Sequence, residues 1–314
     1  MIWLTWRQHR AEILILIGLL AALCIYLLVT GMQMHATYNR LGLAGCIADI
    51  TPQRCAGAME SFFSQYDMLR SFVPWLNLLP AFYGILIGVP LLAREFEQGT
   101  QQLIWTQSLP RMRWLRSKLL VLLAVIFALT ATLTAVMTWW NAPLDQLYGR
   151  FPMPSYDVEG VIPLAYAAFA FALGAASGAL LRRSIPAVAS TVLAYAPVWL
   201  GMDGWLRAWL VPPVKQFYST VDMNISISLT QDWIIQQGFA NKLAHPISND
   251  VVNAACTGSG SFLQCAADHG WQGYIIYQPA SHYWLMQGVE AAILGGVALL
   301  LIGFAVWWTR SRPG

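Results

Sequence analysis

The chain has 314 residues, 57% of them hydrophobic and only 11% charged, with a net charge of +3. An average soluble domain carries about 25% charged residues, and even a large one could not hide this much apolar surface, so a water-soluble fold is excluded. The cations fall in short groups along the chain rather than in one basic stripe, which argues against a nucleic-acid partner.

The start, MIWLTWRQHR, sets Trp3 and Trp6 on one side of a short helix, with Arg7 and Arg10 in reach of headgroups. That pattern predicts an interfacial helix over residues 1–12, lying on membrane lipid. A spanning helix needs roughly 20 apolar residues. Six stretches qualify: Ile13 to Gly31, Phe72 to Ala93, Leu119 to Trp140, Val161 to Leu181, Ile185 to Gly201 and Trp284 to Trp308. Pro74, Pro80 and Pro90 fall in or beside the second, Pro186 and Pro197 in the fifth. Lipid tolerates such prolines where neighbouring helices satisfy the freed carbonyls. The expected fold class is an all-α polytopic membrane protein with six transmembrane helices. Residues 13–201 hold the first five spans, with an outer loop over 32–71 and a cytoplasmic loop over 94–118. An extracellular region covers 202–283, and the sixth span with its tail covers 284–314. The first apolar run is too long for a cleavable signal peptide and lacks a small-residue cleavage site.

Lys and Arg near the span ends set the orientation. One side gathers 11 cations against Glu12, Glu95 and Glu97, a net +8; the other holds 7 cations against 11 acids, a net −4. The first side is expected to be cytoplasmic, with both termini on it. Trp75, Trp139, Trp140, Trp199 and Trp284 then mark the outer interface, and Trp114, Trp307 and Trp308 the inner one. Cys46 and Cys55 lie in one outer segment, Cys256 and Cys265 in the other. Neither pair has metal-site spacing, so two disulfides are expected, an outcome that needs an oxidising compartment. Four cysteines allow three connectivities, and the local pairing Cys46–Cys55 with Cys256–Cys265 is the expected one.

The densest charge lies in REFEQGTQQLIWTQSLPRMRWLRSKL, from Arg94 onward. Arg94 to Gln98 extend span two as a helix beyond the bilayer. Gly99 permits a turn, Thr100 caps a helix carrying Leu103, and Ser108 with Pro110 opens the next. The cations from Arg111 to Lys118 fit plain topological anchors. Two glutamates and a Gly-Thr turn beside Arg94 do not, because acids contribute little to topology.

Glu95-x-Glu97-x-Gly99-Thr100, then Leu103, Leu109-Pro110 and a basic approach to Lys118-Leu119, resembles the signature of ABC-2 type ABC transporter permeases. The specific motif covers residues 94–119; the layout of spans resembles the family over the whole chain. The resemblance implies the membrane subunit of an ATP-driven exporter that pairs with a second permease copy, as a homodimer or related heterodimer. It implies a separate ABC ATPase docking on a coupling helix after span two, with Arg94, Glu95, Glu97, Gly99, Thr100 and Leu103 shaping that contact. No GxxxxGK[ST] occurs, so ATP and Mg belong to the partner and this chain is expected to be no enzyme, with no cofactor of its own.

Other features weigh less. Glu290 is ionisable within a span and so a candidate for the transport path, though it could also snorkel or pair with a neighbour. Gly84 and Gly88, and Gly174 and Gly178, form GxxxG spacings that suit either a dimer seam or packing within one subunit. His35, His245, His269 and His282 show no metal-binding pattern, so no metal is expected, and no GxSxG supports a hydrolase. The rival readings are a polytopic enzyme with an outer active site and a non-transporting sensor or assembly subunit on the same fold. The apolar, aromatic spans suit amphipathic or hydrophobic cargo, and the family resemblance implies that it moves outward across a bacterial plasma membrane.

Overall fold

A computed structural model describes residues 2–48, 52–98, 111–151, 155–219, 231–257 and 262–311. Six helical stretches in it are long and apolar enough to cross a membrane: Trp6–Arg40, Cys55–Glu97, Met112–Tyr148, Ile162–Leu181, Ser184–Trp209 and Ala280–Ser311. Each contains one of the expected spans, save that the fourth begins at Ile162, one residue after the expected Val161.

The first helix, α1 (Ile2–Arg40), has 39 residues and runs unbroken through the segment expected as a separate interfacial helix. At 1.5 Å per residue it is roughly 60 Å long, twice the hydrocarbon core, so it projects beyond the bilayer. The segment expected as an outer loop is largely helical. It comprises the end of α1, then α2 (Leu43–Ala48) and α3 (Pro52–Arg70), and Cys46–Cys55 ties the two short helices together. Phe62 packs edge-on against Tyr38 and tilted against Tyr66 there, and Tyr38 donates to Gln146 on the third span.

Span two is segmented into α4 (Val73–Leu76), α5 (Leu79–Gly88) and α6 (Pro90–Glu97). Pro74, Pro80 and Pro90 each sit in the first turn of a segment, where a missing N–H breaks no helical bond. α7 (Arg111–Tyr148) forms span three, and α8 (Ser155–Val158) leads to α9 (Ile162–Leu181), span four. Span five is α10 (Ser184–Gly201), continued by a π turn at Met202–Leu206 and a 3₁₀ turn at Arg207–Trp209. Span six is α13 (Tyr283–Ser311).

The expectation of an all-α fold is corrected between spans five and six. Val214–Tyr218 (β1), Trp233–Ala240 (β2), Pro246–Ile247 (β3) and Gln272–Gln278 (β4) form one antiparallel sheet in the order β1-β4-β2-β3. Tyr274, Ile275, Ile276 and Tyr277 on its central strand are the β-branched and aromatic residues that favour a pleated surface. Helices α11 (Asn249–Cys256) and α12 (Phe262–Asp268) are joined by Cys256–Cys265.

Span four is the centre of the bundle: α9 packs against α5, α6, α7, α10 and α13, while α1 packs mainly on α7. Spans two and four are each 61% buried over their most apolar window, against 22% for spans one, five and six. The two glycine pairs explain how close the central helices come. A methyl on Gly84 would lie 2.6 Å from the Ala167 carbonyl oxygen, and one on Gly88 2.5 Å from that of Phe171. From the other side, a methyl on Gly178 would lie 2.8 Å from the Val89 oxygen. The two GxxxG pairs therefore serve one contact within the subunit, backbone on backbone.

Candidate functional site

The basic end of the bundle is organised around the end of α6. Successive residues on a helix are rotated by about 100°, so four in a row fan around its whole circumference. Here each of the four meets a different span. Arg94 reaches α1, where its Nη1 donates to Glu12 Oε1 at 2.9 Å. Glu95 reaches α7, where Lys118 Nζ donates to its Oε1 at 2.6 Å and to the Leu91 carbonyl at 3.3 Å. Phe96 lies under the Arg182 guanidinium, 5.1 Å from ring centre, at the end of α9. Glu97 Oε2 accepts from Ser184 Oγ at 2.7 Å and Ser184 N–H at 3.3 Å, at the start of α10.

The local sequence explains this placement. Pro90 opens α6 afresh and thereby sets the rotation at which Arg94 to Glu97 emerge. Arg182 adopts a left-handed conformation with φ 54°, which turns the chain sharply enough to present Ser184 to Glu97. The Glu95–Lys118 pair is buried, with side chains 9% and 2% exposed. A carboxylate and an ammonium removed from water need such a partner. Gly99, Thr100 and Leu103, the rest of the expected coupling contact, lie outside the described residues. Spacing in sequence did not reveal Lys118, Glu12 or Ser184 as partners. Lys118 was hidden because an anchor cation is expected at that position anyway.

A second charged group lies at the acidic end, and Glu290 is in it. Arg207 Nε and Nη2 each donate to Glu290 at 3.0 Å, Nη2 also donates to Asp157 Oδ1 at 2.6 Å, and Nη1 donates to Asp203 Oδ1 at 2.7 Å. Tyr166 of α9 donates to Glu290 Oε1 at 3.0 Å, and the Tyr156 ring lies 4.4 Å beneath the guanidinium. A planar fork of five N–H groups suits three carboxylates better than a lysine would. The network joins α8, α9, the end of span five and α13. Glu290 is fully buried with both oxygens engaged, so it pairs with neighbours rather than snorkelling. Arg150 extends the group, 3.2 Å from Glu159 and 3.9 Å from Asp145. Gln287 locks the same corner by accepting from Val161 N–H and donating to the Glu159 carbonyl and Tyr283 hydroxyl. One signal for Arg207 was available in sequence: Asp203 stands four residues before it in an otherwise apolar stretch.

Burial pushes the Asp157 carboxyl up to about 6, even with Arg207 beside it and with Asp203 and Glu290 opposing its charge. Unfolded aspartate titrates near 3.9. The folded value is the higher one, so the stability tied to this group is complete below about pH 3.9 and is lost as pH rises through about 6. Asp157→Asn is expected to flatten the melting temperature against pH across that window; an unchanged slope would assign the dependence elsewhere.

The structure joins Cys46 to Cys55 and Cys256 to Cys265. His269 brings its ring within 4.8 Å of both sulfurs of the second pair. With the sulfurs bonded to each other no thiolate is present to ligate a metal.

The arrangement at the basic end is mechanical. Among the described residues it connects one exposed helix end to four spans. The family model described as ABC-2 membrane transporter related matches residues 17–207. That match takes in the glycine contact, Arg94 to Glu97 and their partners Lys118, Arg182 and Ser184, but not Glu12, and it ends at Arg207. No curated protein and no solved structure matches the chain.

Proposed function

The chain belongs to the ABC-2 membrane transporter related family, and from that premise we propose that it is the permease subunit of an ATP-driven exporter. A separate ABC ATPase supplies the work, docking where α6 leaves the bundle and the 94–118 segment begins. The observation that carries this reading is the fan at Arg94, Glu95, Phe96 and Glu97. A displacement applied to that helix end is passed at once to spans one, three, four and five. Spans one, five and six present most of their apolar surface outward, which suits lipid and a second permease copy. ATP and Mg sit on the partner chain, and the cargo is amphipathic or hydrophobic, moved outward. Glu290 enters the transport path in a state where Arg207 has released it.

Glu97→Lys tests the reading in liposomes holding the permease and its ATPase. The substitution replaces the acceptor of two Ser184 hydrogen bonds by a cation next to Arg182 and Arg183. ATP turnover is expected to persist while cargo transport falls about tenfold or more, the scale of a coupling free energy. Glu97→Gln, which still accepts from Ser184, is expected to retain most transport. Full transport by Glu97→Lys would remove the fan from the mechanism.

A further inference from the structure

A cavity of about 230 Å³ opens at the basic end between α1, α6 and α7. Its walls are Gln8 and His9 of α1, Arg94, Glu95 and Gln98 at the end of span two, and Lys118 of α7. The acids near it are already engaged. Glu12 takes Arg94 Nη1 and His9 Nδ1, each at 2.9 Å, and Glu95 takes Lys118. What remains facing the space is rich in donors: an arginine half exposed to solvent and two side-chain amides. His9 forms part of the wall and is only 3% exposed.

Donors in excess around a space of this size fit an anion with several acceptor oxygens, such as a phosphate. The surroundings indicate its source. Trp6 and Trp3, one and two turns ahead of His9 on α1, are exposed, as rings at headgroup depth would be. Basic pockets between spanning helices are places where anionic headgroups lodge. We propose that this cavity binds the phosphate of an anionic phospholipid, with Arg94 as its main donor and the Gln8 and Gln98 amides beside it. The lipid then sits against the same helix end that carries the fan. The proposal stands whether or not an ATPase docks there.

The test is native mass spectrometry of the full-length protein released from detergent. It is titrated separately with dioleoyl phosphatidylglycerol, dioleoyl phosphatidylcholine and glycerol 3-phosphate. One phosphatidylglycerol per chain is expected to stay bound at concentrations where phosphatidylcholine does not. Arg94→Gln is expected to weaken it about tenfold, the worth of one charge-assisted hydrogen bond. Arg116→Gln, an exposed cation elsewhere on α7, should leave it unchanged. Melting curves verify folding of each variant; should one fail to fold, exposed Gln98→Leu serves in its place with a smaller loss expected. Equal retention of both lipids, or undiminished binding by the folded variants, overturns the site. Displacement of the lipid by glycerol 3-phosphate at comparable concentration overturns the lipid as its occupant.

Discussion

Arg207→Met is expected to destabilise the folded protein by about 3–5 kcal/mol, the cost of removing one partner from a buried ion group. The loss is large because three carboxylates depend on one guanidinium. Asp157, Asp203 and Glu290 all accept from Arg207, and the Asp157 and Glu290 side chains are no more than 2% exposed. Methionine fills the space but leaves that negative charge without a cation. Glu290→Gln should cost much less. It removes one of the excess charges, and its amide oxygen still accepts from Tyr166 or Arg207. Adding Glu290→Gln to Arg207→Met should restore part of the lost stability, because the two sites are in contact and their effects are not additive. Thermal melting in detergent, followed by tryptophan fluorescence, reads all three. If Arg207→Met melts together with the parent, the network contributes nothing to holding spans four, five and six.

Gly88→Leu should have a comparable effect for a different reason. The new Cβ would lie 2.5 Å from the Phe171 oxygen and 3.0 Å from its Cα, both backbone atoms that no rotamer change can move. Spans two and four would have to separate along their whole contact, since Gly84, Gly174 and Gly178 are equally close to the facing helix. Overpacking a well-fitted contact costs about 1–3 kcal/mol and more when the obstacle is backbone. Gly296→Leu on α13 is the comparison, because nothing lies within 4 Å of a Cβ there. The first variant should accumulate poorly in the membrane and melt early, and the second should resemble the parent. Equal behaviour of the two would show that the glycines are not what brings the helices together.

How far these features could be read from the sequence depends on whether the signal was local. The six spans were legible because length and hydropathy alone decide them in lipid. Both disulfides followed from two pairs of equal spacing placed in outer segments. Glu95 and Glu97 stood out because nothing about topology calls for acids there. Their partners did not stand out: Lys118 and Ser184 lie 23 and 87 residues away in the chain, and no periodicity links them. The GxxxG pairs were visible as motifs, but a motif does not say which helix it faces. The sheet was missed because its strands are short, β3 having two residues, and are set among Asn, Gly and Ser clusters. Glu290 was noticed as an ionisable residue in a span. Its commitment to Arg207 depends on how span five ends, in a π turn that hydropathy does not mark.

The fan at the end of α6 constrains length more tightly than identity. Its four contacts depend on angular phase set by Pro90, four residues upstream of Arg94. Inserting or deleting one residue between them would rotate all four side chains by about 100° and carry each toward the wrong neighbour. Point substitutions break one contact at a time and leave three. A single indel in this short segment would break all four contacts at once, so the stretch from Pro90 to Glu97 should vary in composition before it varies in count.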